Sequence, residues 1–327
     1  MINRALLGIT VILAMGLLIF DAVWLFRSSP FALNPDDLRT IAKTVLILAL
    51  VFIVARAVNW RLSADTSKIG EWLKYIGKSS QLLALMGGFM ILVSTGMAAA
   101  NYLLMTTALP LQDDFFAAID QSIGFDWLAV VRWVDARPSV SWILVSAYST
   151  SLIQMLAVVF VYSALCRGDR LLEFAALYTL TGVAVGVVAM LVPAMGAYAY
   201  YNPDPDLYDQ FTDLGRVHIT TLEQLRAGTF EMLEFENTVG MVTFPSFHTV
   251  LAIIVTYAFR DNVLLFAPLF ILNCIVVVST IPEGGHYLID IFGGAVIAWL
   301  AIVFVRSFGR VEAPAKQSAA YSLTSSP

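Results

Sequence analysis

The sequence predicts an all-α, multi-pass membrane protein, and three observations carry that prediction. Hydrophobic residues make up 59% of the 327 residues and charged residues only 13%. Apolar runs of roughly 20 residues recur along the whole length, about what a helix needs to cross a bilayer. The remaining charges collect in the connections, Lys and Arg in one set, Asp and Glu in the alternate set.

Eight spans are expected, at about 5–26, 40–59, 81–106, 139–166, 172–194, 244–260, 263–281 and 286–308. The first follows Arg4 and ends near a weak small-residue site at Ser28-Ser29, so it reads as an uncleaved helix rather than a signal peptide. Its Asp21 is expected near the outer end, solvated or capping a helix, with a transport role as the alternative. The connection 60–80 follows the second span. After the third, segment 111–138 repeats Leu111, Phe115, Phe116, Ile119, Trp127, Leu128 and Val131 at near-helical spacing among acidic residues. That pattern predicts an amphipathic interfacial helix packing the rim of the bundle, or else a lid or lipid ramp.

The fourth span holds Tyr148, Ser149, Ser151 and Gln154, expected to make interhelical hydrogen bonds, with headgroup binding as the alternative. Between the fifth and sixth spans, 195–243 is long for a bundle connection and polar, which often marks function. It begins with Tyr198, Tyr200, Tyr201 and Asn202, and later carries Arg216, His218 and Arg226. His218 is expected to be a solvated loop histidine. The division that follows is two N-terminal helices with their connection (1–80), a six-helix core (81–308) and a disordered tail (309–327).

Charge sets orientation through the positive-inside rule. Arg4, Arg56, Arg61, Lys68, Lys74, Lys78, Arg167, Arg170, Arg260, Arg306, Arg310 and Lys316 all fall on one side of an alternating eight-span chain. That side, with both termini, is expected to be cytoplasmic. The opposite connections carry Asp113, Asp114, Asp120, Asp126 and Asp135, then Asp204 through Glu236; the first, with Arg27, Arg39 and Lys43, is roughly balanced. Cys166 and Cys274 lie too far apart in the topology for a disulfide or a shared metal site. The net charge of −5 argues against nucleic acid as a partner, and no G-x-x-x-x-G-K-[ST] phosphate loop is present.

Two short stretches carry chemistry. Pro245-Ser246-Phe247-His248 opens the sixth span, with Pro near the first turn and Ser able to cap it. Gly284-Gly285-His286-Tyr287-Leu288-Ile289-Asp290 opens the eighth. His286 and Asp290 stand at i and i+4, so on a helix the carboxylate can hold one ring nitrogen while the other faces substrate. Gly285 permits close approach of backbone amides to an anion, and two helix N-termini on one membrane face suggest a phosphate cradle. Two of the chain's three histidines are engaged this way.

These residues resemble the type-2 phosphatidic acid phosphatase superfamily, which includes lipid phosphate phosphatases. Its P-S-G-H motif is met by Pro245, Ser246 and His248, and its S-R-x-x-x-x-x-H-x-x-x-D motif by Ser279, His286 and Asp290. Thr280 occupies the Arg position. The H-Y-x-x-D form and Phe247 resemble the branch with inositol phosphorylceramide synthase and sphingomyelin synthase. The resemblance covers roughly residues 81–308. It implies a phosphatase-type bundle in the last six spans, His286 as the nucleophile forming a phosphohistidine, Asp290 orienting it, and His248 as general acid. It implies no metal or other cofactor. The substrate implied is a lipid phosphate or phosphodiester in the outer leaflet, with water or a second alcohol as acceptor.

The first family motif, K-x-x-x-x-x-x-R-P, is the largest departure. Arg137-Pro138 matches its end, but Val130 stands at the Lys position and the pair lies one outer connection too early. Arg226, with Arg216 behind it, is therefore the expected phosphate-binding cation, joined by Ser246 and Gly285. The competing functions are a lipid transporter or flippase and a non-catalytic lipid-binding protein. Transporters place charges near the midplane and repeat their halves, whereas here charges crowd the outer ends and no repeat is seen.

Overall fold

The structure, a computed structural model, describes residues 3–204, 207, 210–212 and 215–311. Of the tail expected over 309–327, the part from 312 on lies outside the described residues, as do Asp206, Asp209 and Asp213. Helices dominate, as the composition requires, and begin at recognisable caps. Asn3 caps α1 (Arg4–Ser28), Asn34 with Pro35 opens α2 (Pro35–Arg61), and Ser67 caps α3 (Lys68–Met105).

Two expectations about the spans are corrected. First, α3 starts 13 residues before the expected 81, so most of the 60–80 connection is helix and Lys68, Lys74 and Lys78 ride on its early turns. Its 38 residues make a rod of about 57 Å, well beyond the hydrocarbon core; hydropathy finds the part of a helix that lipid surrounds, not where the helix begins. Second, the fourth span is a pair, α6 (Pro138–Tyr148) and α7 (Ser151–Ala164), bent by 42°. Ser149, Thr150 and Ser151 bond back to the carbonyls of Val145, Ala147 and Tyr148 instead of across to neighbours, which competes with the helix ladder at the bend. The described residues hold five helices long and apolar enough to cross a membrane, or six with the bent pair. The five are α1, α2, α3, α8 (Gly168–Leu191) and α13 (Leu288–Val311). At the expected sixth and seventh spans stand shorter apolar helices, α11 (Phe247–Ala258) and α12 (Val263–Ser279).

Helix α8 is central, packing against α1, α3, α7, α11 and α13. Phe174, Leu177, Val185, Val250, Ile254 and Ala298 sit in one continuous core. Helix α2 leans on α3 alone among its larger contacts and is almost wholly exposed. At one end of the bundle Arg170 pairs with Glu173 and Asp261, Arg260 with Glu173, and Asn3 donates to the Phe308 carbonyl. The basic connections thus converge, as alternation requires. At the other end Ala32–Leu33 (β1) pairs in parallel with Met232–Leu233 (β2).

Segment 111–138 forms two short helices, α4 (Asp113–Ser122) and α5 (Trp127–Asp135), rather than one. Phe116, Ala117, Trp127 and Val131 pack on Ala194, Ile281 and Tyr287, so the segment closes the rim at this second end. Asp113 and Asp120 point inward with them. Asp113 accepts from the Met195 and Gly196 amides and from the Tyr287 hydroxyl, at 3.0, 2.9 and 3.0 Å. Asp120 accepts from the Leu288 and Ile289 amides at 2.7 and 3.1 Å and thereby caps α13. Burial pushes the Asp120 carboxyl above its ordinary range, against the pull of those amides. Asp21 is also buried, contrary to expectation, and neither of its carboxylate oxygens has a hydrogen-bond partner among the described residues.

Candidate active site

The two motif stretches meet because α11 begins directly against α13. A Cβ at Gly294 would run into the Ser246 carbonyl, so only glycine admits this approach. Ser246 donates its amide to the Asp290 carbonyl at 3.0 Å, tying the start of one helix to the first turn of the other. Its hydroxyl accepts from the Thr249 amide at 3.3 Å as the helix cap.

His286 lies in the tight loop between α12 and α13, where the Thr280 carbonyl accepts from the amides of Gly284 and His286. Its Nδ1 stands 3.0 Å from Asp290 Oδ2, and that oxygen also accepts from the Tyr287 amide at 3.0 Å. Since a carboxylate accepts, Nδ1 carries the proton and Nε2 presents its lone pair. That nitrogen is 3.4 Å from the Ser246 hydroxyl. Burial pushes the His286 imidazole down to about 4, opposed by the Thr243 carbonyl, so the ring is neutral and nucleophilic at pH 7.

His248 sits in the first turn of α11. The Tyr148 hydroxyl lies 3.1 Å from its Nδ1, and the two rings stack at 4.2 Å. The phenol anchors the ring at Nδ1, accepting from Nδ1–H when His248 is imidazolium and donating to Nδ1 when it is neutral, so that Nε2 is the nitrogen that exchanges a proton. Tyr148 makes the interhelical hydrogen bond expected of it, from α6 to α11, and its partner is the motif histidine. The signal that marks it is a phenol placed immediately before a Ser-Thr-Ser break in an apolar span.

The phosphate cradle differs from expectation. The α13 N-terminus is already satisfied: the amides of Tyr287, Leu288 and Ile289 belong to Asp290 and Asp120. The amides of Phe247, His248 and Gly285 have no acceptor among the described residues. Gly285 adopts φ +64° and its carbonyl accepts from the Ala197 amide at 2.8 Å, which turns its N–H away from that contact.

The two expected cations part company. Arg216 precedes α10 (Val217–Ala227), and a Cβ at Gly285 would lie 3.0 Å from the carbonyl of adjacent Gly215. Arg226 is in the last turn, about 15 Å further along the helix axis, in a recess with Trp24, Ser29 and Thr106. The structure does not bring Arg226 to the histidines. Arg137 is remote as well, stacked on Trp133 at the opposite end of α6 from Tyr148. Thr280, at the family Arg position, is buried with its hydroxyl bonded to the Val277 carbonyl. His218 is buried rather than solvated: its Nε2 is 2.8 Å from the Met195 carbonyl, and burial lowers its proton affinity. Glu283, three residues before His286, is fully buried and accepts from the amide and hydroxyl of Thr212, fastening the outer connection over the loop. Among the described residues, no three or more His, Cys, Asp or Glu side chains gather as a metal site.

The sequence pattern of the PAP2 superfamily matches residues 114–304, more than half of the chain, and spans both histidine motifs. The chain belongs to the PAP2 superfamily. Members of that superfamily are phosphatases or phosphotransferases that act on phosphate esters. Neither a curated protein nor a solved structure matches the chain.

Proposed function

We propose that this protein is an integral-membrane lipid phosphatase or phosphotransferase that works through a phosphohistidine. The observation that carries the reading is the His286–Asp290 contact, with the free Nε2 beside Ser246 and His248 two residues further on. His286 Nε2 attacks phosphorus as the ester P–O bond breaks, and the departing alkoxide takes the Nε2 proton of His248 in its imidazolium form, leaving that ring neutral. Asp290 holds the cationic ring that results. Water or a second alcohol then attacks the phosphohistidine, giving its proton back to His248 Nε2 and restoring neutral His286. The amides of Phe247, His248 and Gly285 and the Arg216 guanidinium meet the phosphoryl oxygens. In this assignment Arg216 replaces Arg226.

Transfer to an alcohol is the second reading. It is supported by the enclosure of His286, only 3% exposed, and by Phe247 and Thr280, the two departures that resemble the sphingolipid-synthase branch. The basic connections converge at the end opposite the histidines, which supports an active site on the extracytoplasmic side with cytoplasmic termini.

The test is purified protein in detergent given phosphatidate, phosphatidylglycerol phosphate, prenyl diphosphate and phosphatidylinositol, with free phosphate measured against alcohol-linked product. Turnover with an acid-labile phosphoenzyme, both lost in His286→Ala, is expected. Turnover that survives His286→Ala within a few-fold refutes the assignment, and lipid movement across vesicles without bond cleavage favours a flippase.

A further inference from the structure

A groove of about 470 Å³ runs between α1, α3 and α8, walled by Leu17, Phe20, Leu104, Val183 and Val187. No titratable side chain lines it, and its size falls in the range of about 300–1,000 Å³ typical of ligand sites. A second recess of about 240 Å³ contains His248 and Phe247 together with Ser94, Tyr102 and Tyr178. Met97, Asn101 and Gly182 line both, so the apolar groove abuts the histidine chamber along a shared wall. A comparable apolar recess of about 430 Å³ beside α11 and α12 includes Arg260, at the opposite end of the bundle, and shares no lining residue with that chamber. Continuity therefore singles out the first groove. Two of its three helices, α1 and α3, lie outside residues 114–304, so it is built largely from parts of this chain beyond the superfamily pattern.

We propose that this groove holds a hydrocarbon chain of the phosphorylated lipid whose phosphate reacts at His286, so that the N-terminal helix selects substrates by chain. The inference rests on the phosphatase or phosphotransferase reading and names its substrate class: long-chain lipid phosphates rather than small phosphate esters. Bilayer lipid is as apolar as the groove, so the chain gains little by leaving it. What the groove supplies is position, because a chain seated beside Met97 and Asn101 brings its headgroup to His248 in a fixed register.

Gly16 offers a way to test this. It lines the groove, and a Cβ added there meets no atom within 4 Å, so a larger side chain can start from this position without a clash at its Cβ. Gly8, on the same helix and equally unobstructed, lies outside the groove and serves as control. The probes are lysophosphatidates of increasing acyl length and phosphatidate in mixed micelles, and a phosphatidate carrying a diazirine at its chain end. In Gly16→Trp, with Gly16→Leu as the milder variant, the ratio of kcat/KM for long over short chains should fall by about tenfold or more. Gly8→Trp should keep the wild-type ratio. Irradiation should label the α1, α3 and α8 walls of the groove in the wild type, and Gly16→Trp should lose those labels.

An unchanged chain-length ratio in both Gly16 variants, or labels confined to α11, α12 or elsewhere, overturns the groove assignment while leaving the enzyme reading intact. Groove labelling without any phosphate-ester turnover does the reverse.

Discussion

Replacing Asp290 by Asn keeps the side chain's shape and removes its charge, which isolates what that charge does for His286. In the structure Oδ2 sits 3.0 Å from His286 Nδ1 and from the Tyr287 amide, in a fully buried position, while Oδ1 has no partner among the described residues. When the ring becomes cationic on phosphorylation, a full charge pair at about 4 Å is worth about 4 kcal/mol at an effective dielectric of 20. Partial charge development at the transition state reduces that to roughly 2–4 kcal/mol, or about 30- to 1,000-fold in kcat. An Asn that turned its amide N–H toward Nδ1 would also force the ring proton onto Nε2 and blank the nucleophile, extending the loss toward ~10⁴. The assay is steady-state kcat on one accepted lipid, together with rapid-quench trapping of the phosphoenzyme and a thermal melt. A folded Asp290→Asn protein that loses less than about fivefold in kcat would refute electrostatic support of the ring and leave Asp290 as a loop fastener only.

Tyr148→Phe should lower kcat roughly 3- to 10-fold with little change in KM, the worth of one hydrogen bond orienting the His248 ring; unaltered kcat dismisses that role. Arg216→Ala should reduce kcat/KM by about 2–4 kcal/mol of transition-state stabilisation, whereas Arg226→Ala should cost under about threefold. The opposite order restores Arg226 as the phosphate ligand. Because burial holds His286 down to about 4, its reactive neutral form should persist at pH 6, and kcat/KM should fall only as pH approaches that value. The same depressed proton affinity contributes stability above about 6.5 that is lost as pH falls toward 4, so the thermal midpoint should drop across that window. An acid limb of kcat/KM at 6.5 or above contradicts the buried neutral ring.

The membrane class, the approximate helix positions and the pairing of His286 with Asp290 were all legible along the chain because each is a local property. Hydropathy is additive over a window, and His286 with Asp290 need only the pitch of one helical turn to meet. Pro245 and Ser246 announced the start of α11 by the same short-range chemistry. What required the fold were contacts between distant segments. Tyr148 reaches His248 across 100 residues, and Asp120 caps α13 from 168 residues away, taking the very amides that an uncapped helix start offers to phosphate. Whether Arg216 or Arg226 faces the site depends on which end of α10 abuts Gly285, and no pattern within 195–243 encodes that. Nor does any pattern within one span mark α1 as a wall beside the His248 chamber. Local composition and periodicity decide which residues become helix and which helices lipid surrounds; only the packing of one helix against another, through shape and the pairing of buried polar groups, decides which side chains share a site.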